Sequence, residues 1–208
     1  MAEFNKPALF GGNEFDAFGG GEDPAVVLRA AHDSARKLLT RARDADDPAV
    51  VDRLVNYTDE HGLDALAELW ARSSPHSLPG ALWRIYLVRV LIRQDPDGVA
   101  LLFQRGTEVL STIDPVVAGA PLPAGPDEIT ELADRILRGV FEGDFAIALE
   151  RAAAFCRVTA AGALSIADDQ EAASPERATE LTTRAQRLIT TADELMACAR
   201  MSRADTLD

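Results

Sequence analysis

The residues with chemistry to offer are few and widely spaced. Two cysteines, Cys156 and Cys198, and three histidines, His32, His61 and His76, are the whole stock of thiols and imidazoles. A structural zinc site needs four such ligands at short paired spacings, and no such pairing occurs. Nor does the Glu-x-x-His step that places two ligands of a di-metal bundle on one helical face. His32-Asp33 is an adjacent pair used by some metal-dependent phosphohydrolases, but those enzymes need further His and Asp ligands on neighbouring helices. Gly19-Gly20-Gly21 follows no strand, so it does not form a phosphate-cradling loop. Asp44, Asp46 and Asp47, and separately Asp168 and Asp169, gather at expected helix junctions without the twelve-residue spacing of a calcium loop. His61 closes a helix behind Asp59-Glu60, where a cation suits the negative helix terminus. The reading is therefore no catalytic constellation, no metal site and no cofactor.

One cluster of charged and aromatic side chains stands out. Arg84, Arg89 and Arg93 lie in a segment without an acid, in a chain whose formal net charge is −13. At 100° per residue Arg89 and Arg93 share a helical face, with Arg84 turned away from them. Carboxylates on adjoining helices are the ordinary partners of such arginines. The functional alternative is a groove for an anionic ligand or an acidic peptide, lined by Trp70, Trp83, Tyr86, Arg89 and Arg93.

The bulk properties limit partners further. With 208 residues, 47% apolar and 26% charged, the chain has the composition of an ordinary folded domain. Its acidity opposes attraction to nucleic acid or anionic lipid, since both require a cationic surface. The longest apolar stretch, Ala81 to Ile92, is broken by two arginines and is far short of the ~20 residues of a spanning helix. Neither nucleic acid nor membrane is expected as a partner. The first residues lack the pattern of a secretory signal, so a cytoplasmic location with reduced thiols is expected.

The elements that must position these groups read as helices. Asp23-Pro24, Asp47-Pro48 and Ser174-Pro175 each set a capping side chain before a proline at the first helical position, where the missing N–H costs nothing. Expected helices run from Pro24 to Ala45, Pro48 to His61, Leu63 to Arg72, Ala81 to Gln94, Asp97 to Thr112 and Asp127 to Phe141. The first should turn Val26, Val27, Ala30, Ala31, Leu38, Leu39 and Ala42 inward. The Ala81–Gln94 helix is apolar nearly all round, which predicts a central place.

In the last third, Phe145, Leu149, Ala152, Cys156, Thr159, Ala163 and Ile166 alternate steps of four and three, and Ala178, Leu181, Ala185, Leu188, Ala192, Leu195 and Ala199 do the same. A short polar connection joins them, which predicts a long antiparallel helical hairpin. The two cysteines fall about 15 Å apart along it, too far for a disulfide. Alanine at every seventh position suits close packing within the chain ahead of a homodimer seam, because a bundle has other faces to cover first.

The fold expected is all-α: a helical bundle of seven to eight helices ending in that hairpin. Residues 23–113 form an N-terminal helical group and 127–208 the hairpin region, joined as one continuous domain by an extended Pro-rich linker over 114–126. Residues 1–22 stand apart. Phe4, Phe10, Phe15 and Phe18, half of the eight phenylalanines, sit there between glycines and acids without any period. Such a segment is either a solvated tail or one whose rings dock into a groove.

Nineteen arginines against Lys6 and Lys37, abundant Ala and Asp, and the stretch Leu78-Pro-Gly-Ala-Leu-Trp-Arg84 together resemble small uncharacterised helical proteins of high-GC actinobacteria. That likeness implies an all-helical fold and assigns no residue a role. The function expected is a non-enzymatic helical protein–protein interaction or adaptor protein that presents a groove or hairpin face to another protein. The alternative is a bundle that binds an apolar or anionic small molecule, as a sensor or an enzyme.

Overall fold

In the computed structural model, residues 23–43 and 64–208 are described. The expected Pro48–His61 helix, its Asp47 cap and the four tail phenylalanines lie outside them. Among the described residues there are eight helices and no strand: α1 (Pro24–Arg43), α2 (Asp64–Ala71), α3 (Leu78–Gln94), α4 (Pro96–Val109), α5 (Asp114–Ala118), α6 (Pro126–Glu142), α7 (Phe145–Gln170) and α8 (Pro175–Arg203).

The capping chemistry accounts for most of the boundaries. Asp23 Oδ1 accepts from the Ala25 N–H at 2.9 Å, Ser77 Oγ from Gly80 at 3.2 Å, Asp95 Oδ1 from Gly98 at 2.9 Å, and Asp144 Oδ1 from Ile147 at 3.2 Å. Each satisfies one of the donors that a helix start leaves over. Ser174 departs from the expectation. It occupies the N-cap position of α8, yet its side chain makes no capping bond. Asp95 also does more than end α3, because the same residue caps α4.

The long hairpin is present as α7 and α8. A four-residue connection joins them at one end, and at the other Arg203 Nη2 donates to Glu150 Oε2 at 2.7 Å. Of the two seams, all but the half-buried Ile166 are buried within the chain. Each fully buried leucine among them stabilises the pair by ~1.5–3 kcal/mol of apolar transfer. Both cysteines are free thiols.

The central helix is α7, buried almost continuously from Ala152 to Ala160 and packed on α3, α4, α5, α6 and α8. Its crossing with α4 is unusually tight. A methyl at Gly162 would lie 1.8 Å from the Leu102 carbonyl oxygen, and one at Gly106 would lie 1.9 Å from that of Val158. Backbone meets backbone there, which only the missing side chains permit. Phe103 and Phe155 stack across the same interface with ring centroids 5.5 Å apart.

Three sequence expectations are corrected. α3 touches α1, α2, α4, α6, α7 and α8, but it is not covered all round: Leu87 is 41% exposed and Leu91 partly so. In α1, Val26 and Ala30 are exposed, burial begins at Ala31, and the inward stripe runs through Ala31, Ala35, Leu39 and Ala42. The Pro-rich stretch 114–126 is not extended throughout, since Pro115 falls in the first turn of α5, where a proline is tolerated. Ala118 and Ala124 are buried, and α5 is pinned to α7 by Arg157, whose Nε and Nη2 donate to Asp114 Oδ1 at 2.8 and 2.5 Å.

Candidate functional site

The five residues expected to line a groove occupy separate settings. Trp70 is buried, and its Nε1–H donates to Ser34 Oγ at 3.0 Å, which locks α2 onto α1. Trp83 and Tyr86 are half-buried and stack with centroids 5.6 Å apart. Arg89 is buried and Arg93 exposed, and both hold Asp134 of α6: Arg89 Nη2 is 3.1 Å and Arg93 Nη2 3.2 Å from Oδ1. Arg84 Nε donates to Glu194 Oε2 of α8 at 2.5 Å and its Nη1 to the Gly80 carbonyl at 3.0 Å. The arginines of α3 are thus matched by acids of neighbouring helices, the ordinary condition of a buried guanidinium.

The thiols are equally quiet. Burial pushes the Cys156 thiol up to about 12, with the nearby Arg157 charge opposing, and pushes Cys198 up to about 11, with Arg84 opposing and Glu194 adding. Cys198 Sγ–H donates to the Pro75 carbonyl at 3.2 Å. A neutral, buried thiol is a poor nucleophile and a poor metal ligand. Among the described residues, no three His, Cys, Asp or Glu side chains converge as a metal site would require, and no helix is long and apolar enough to cross a membrane.

A concave surface opens on another side of α3. Between α3 and the first half of α8 runs a cleft of about 660 Å³, within the ~300–1,000 Å³ typical of binding sites. Leu87, Val88 and Leu91 form one wall, and Leu188 with Thr179, Thr183 and Thr191 the other. The threonines present their methyls. Each hydroxyl donates back along its own helix at 2.9 Å, from Thr179 to Pro175, Thr183 to Thr179 and Thr191 to Arg187. The walls are therefore largely apolar although six of the ten lining residues are polar or charged by type.

The charged residues of the lining are Arg184 and Arg187 together with Glu180, which accepts from Arg177 Nη1 at 3.1 Å. Arg187 is exposed, whereas Arg184 is largely covered, with its Nη1 4.0 Å from Asp95 Oδ2. Its Nε and Nη2 are both buried without a hydrogen-bond partner. That pair forms the side edge with which an arginine grips an anion through two bonds, the edge Arg157 uses on Asp114. Burial holds the Arg184 guanidinium below its ordinary value, Asp95 opposing and Arg177 adding. A second hollow of about 320 Å³ adjoins the cleft at the hairpin tip, sharing Thr179 and Thr183 and edged by Asp168 and Glu171.

None of the five expected groove residues lines this cleft. Leu87, Leu91 and Leu188 were visible in the sequence as apolar helix positions, but Arg184 was not singled out. The signal available was the file of Thr179, Thr183, Arg184, Arg187 and Thr191 beside the buried seam, a threonine-rich flank in a helix that gains nothing from threonine intrinsically. No family model, no curated protein and no solved structure matches the chain.

Proposed function

We propose that this protein is a non-enzymatic helical interaction protein whose α3/α8 cleft seats a segment of another protein that combines apolar anchors with a carboxylate. The observation that carries the reading is an apolar cleft flanked by Arg184 and Arg187, with the Nε and Nη2 of Arg184 buried beneath its surface without a partner. A buried donor without a partner costs ~1–3 kcal/mol, so a carboxylate that draws the Arg184 guanidinium out into the cleft would satisfy two such donors. Apolar walls with two arginines against one acid suit a helix or extended segment carrying leucine- or phenylalanine-like anchors beside Asp or Glu. The commitment of the thiols and of the α3 arginines to packing and ion pairs supports a recognition role. The volume of the cleft also favours a second reading, an apolar carboxylic acid as a small-molecule ligand.

Selection of a random peptide library on the full-length protein tests this. The expected result is enrichment of sequences with apolar residues beside Asp or Glu, with binding abolished by Leu91→Asp and weakened about tenfold by Arg184→Gln, the equivalent of ~1.4 kcal/mol. Enriched peptides that ignore both substitutions would refute the cleft as a protein-binding site. Saturable binding of decanoate, competing with no peptide, would favour the small-molecule reading.

A further inference from the structure

We propose that residues 1–22 of this chain are the resident occupant of the α3/α8 cleft, a self-docking segment that an external partner must displace; this rests on the reading of the cleft as a peptide-binding site. The chemistry of the two surfaces corresponds. The segment carries four phenylalanines, and Glu14 and Asp16 flank Phe15, so an aromatic anchor lies between two carboxylates. The cleft offers Leu87, Leu91 and Leu188 as an apolar seat, with Arg184 and Arg187 beside it and Glu180, held by Arg177, in its lining.

Charge supports the same pairing. Residues 1–22 hold four acids against Lys6, and the chain as a whole carries −13, so most of the surface repels this segment, whereas in the cleft two arginines outnumber the one acid, Glu180, whose charge Arg177 already partners. The adjoining hollow at the hairpin tip is edged by Asp168 and Glu171, which disfavours that neighbour for the acids of the segment. Other exposed apolar side chains, Ile113 and Val116, are close in sequence to Asp114, whose carboxylate already holds Arg157.

Reach does not forbid the docking. Twenty-two residues extend up to ~75 Å, whereas the longest helix, the 29 residues of α8, measures ~44 Å. Covalent attachment at Asp23 then sets an effective concentration in the millimolar range. A motif of ~0.1 mM intrinsic affinity would occupy the cleft about nine-tenths of the time, and an incoming peptide would bind roughly tenfold more weakly than to an empty cleft.

The test uses the full chain with p-benzoylphenylalanine in place of Phe15, irradiated and mapped by mass spectrometry. The expected result is intrachain crosslinks to 87–91 and 179–191 at a yield independent of protein concentration. The yield should fall about twofold when Arg184 and Arg187 are changed to Gln, as a tenfold weaker contact predicts at that effective concentration, and to background with Leu91→Asp. In a second arm, the full chain with Phe4, Phe10, Phe15 and Phe18 all changed to Ser should bind a library-selected peptide about tenfold more tightly than the parent. Crosslinks elsewhere, no crosslinks, or crosslinks between chains that rise with concentration would each overturn the assignment. If library peptides still map to the cleft in that event, the occupant alone is wrong; if they too miss it, the interaction site itself is wrong.

Discussion

Substitution of Gly162 by alanine should be among the most damaging single-methyl changes in the protein. The added carbon would stand 1.8 Å from the Leu102 carbonyl oxygen and 2.8 Å from the Gly106 nitrogen. Ordinary contact begins near 3.4 Å, so α4 and α7 must part by about 1.5 Å, and no flexible side chain is available to yield instead. Overpacking of this kind costs ~1–3 kcal/mol, and a backbone clash belongs at the upper end. Alanine returns up to ~1 kcal/mol through its helix propensity, which leaves a net loss of ~2 kcal/mol. The same separation loosens the Phe103–Phe155 stack. For a chain of this size a loss of ~2 kcal/mol lowers the melting temperature by ~4–8 °C. Urea unfolding followed by far-ultraviolet circular dichroism reads the midpoint directly, and Gly139→Ala is the control. There a methyl would meet Ala148 Cβ at 3.4 Å, an ordinary contact, so the propensity gain should dominate and stabilise. Adding Gly106→Ala to Gly162→Ala should cost much less than the sum, because both clashes are relieved by one separation. A neutral or stabilising Gly162→Ala would refute the backbone contact between α4 and α7.

Two further outcomes follow from the ionisable groups. Because burial raises both thiols in the folded state, their contribution to stability is full below about pH 9 and is lost as pH climbs toward 11 to 12; in Cys156→Ala the alkaline decline of the urea midpoint should be shallower, and neither thiol should react with Ellman's reagent before unfolding. Burial pushes Asp114 upward, but the bonds from Arg157 and Thr112 and the Arg157 charge outweigh it and hold the carboxyl below its ordinary value of 3.8, so its contribution is present above that pH and lost as pH falls further; Asp114→Asn should flatten this acid limb and leave the alkaline limb unchanged.

How much of this could be read from the sequence follows from the range over which each feature is determined. Asp23-Pro24 and the two heptad stripes are local, so helix starts and buried faces appear as residue type and spacing, and the seams are buried in the structure as the periods predict. The pairing of the α3 arginines with acids was expected in kind, though not that Arg89 and Arg93 share Asp134 or that Arg84 meets Glu194. The helix inside 114–126 is not legible in the sequence because prolines signal a break equally well whether they interrupt a helix or open one, and the Arg157 that holds α5 lies more than forty positions away. Gly106 and Gly162 look like weak points in two helices, and their purpose exists only where the helices cross. The cleft escaped notice for the same reason: Leu91 and Arg184 are ordinary members of separate helices, and the unmet edge of the arginine is a property of what folding places around it.

The most direct test of the account is a methyl-resolved NMR titration. The full chain with its four N-terminal phenylalanines changed to serine, labelled at Leu and Val methyls, would receive a synthetic peptide spanning residues 1–22. The account predicts saturable shifts concentrated at Leu87, Val88, Leu91 and Leu188, absent when the peptide carries Ser in place of all four phenylalanines. Shifts confined to other methyls, such as those of Ile113's neighbours Val116 and Leu122, or none at millimolar peptide, would contradict it.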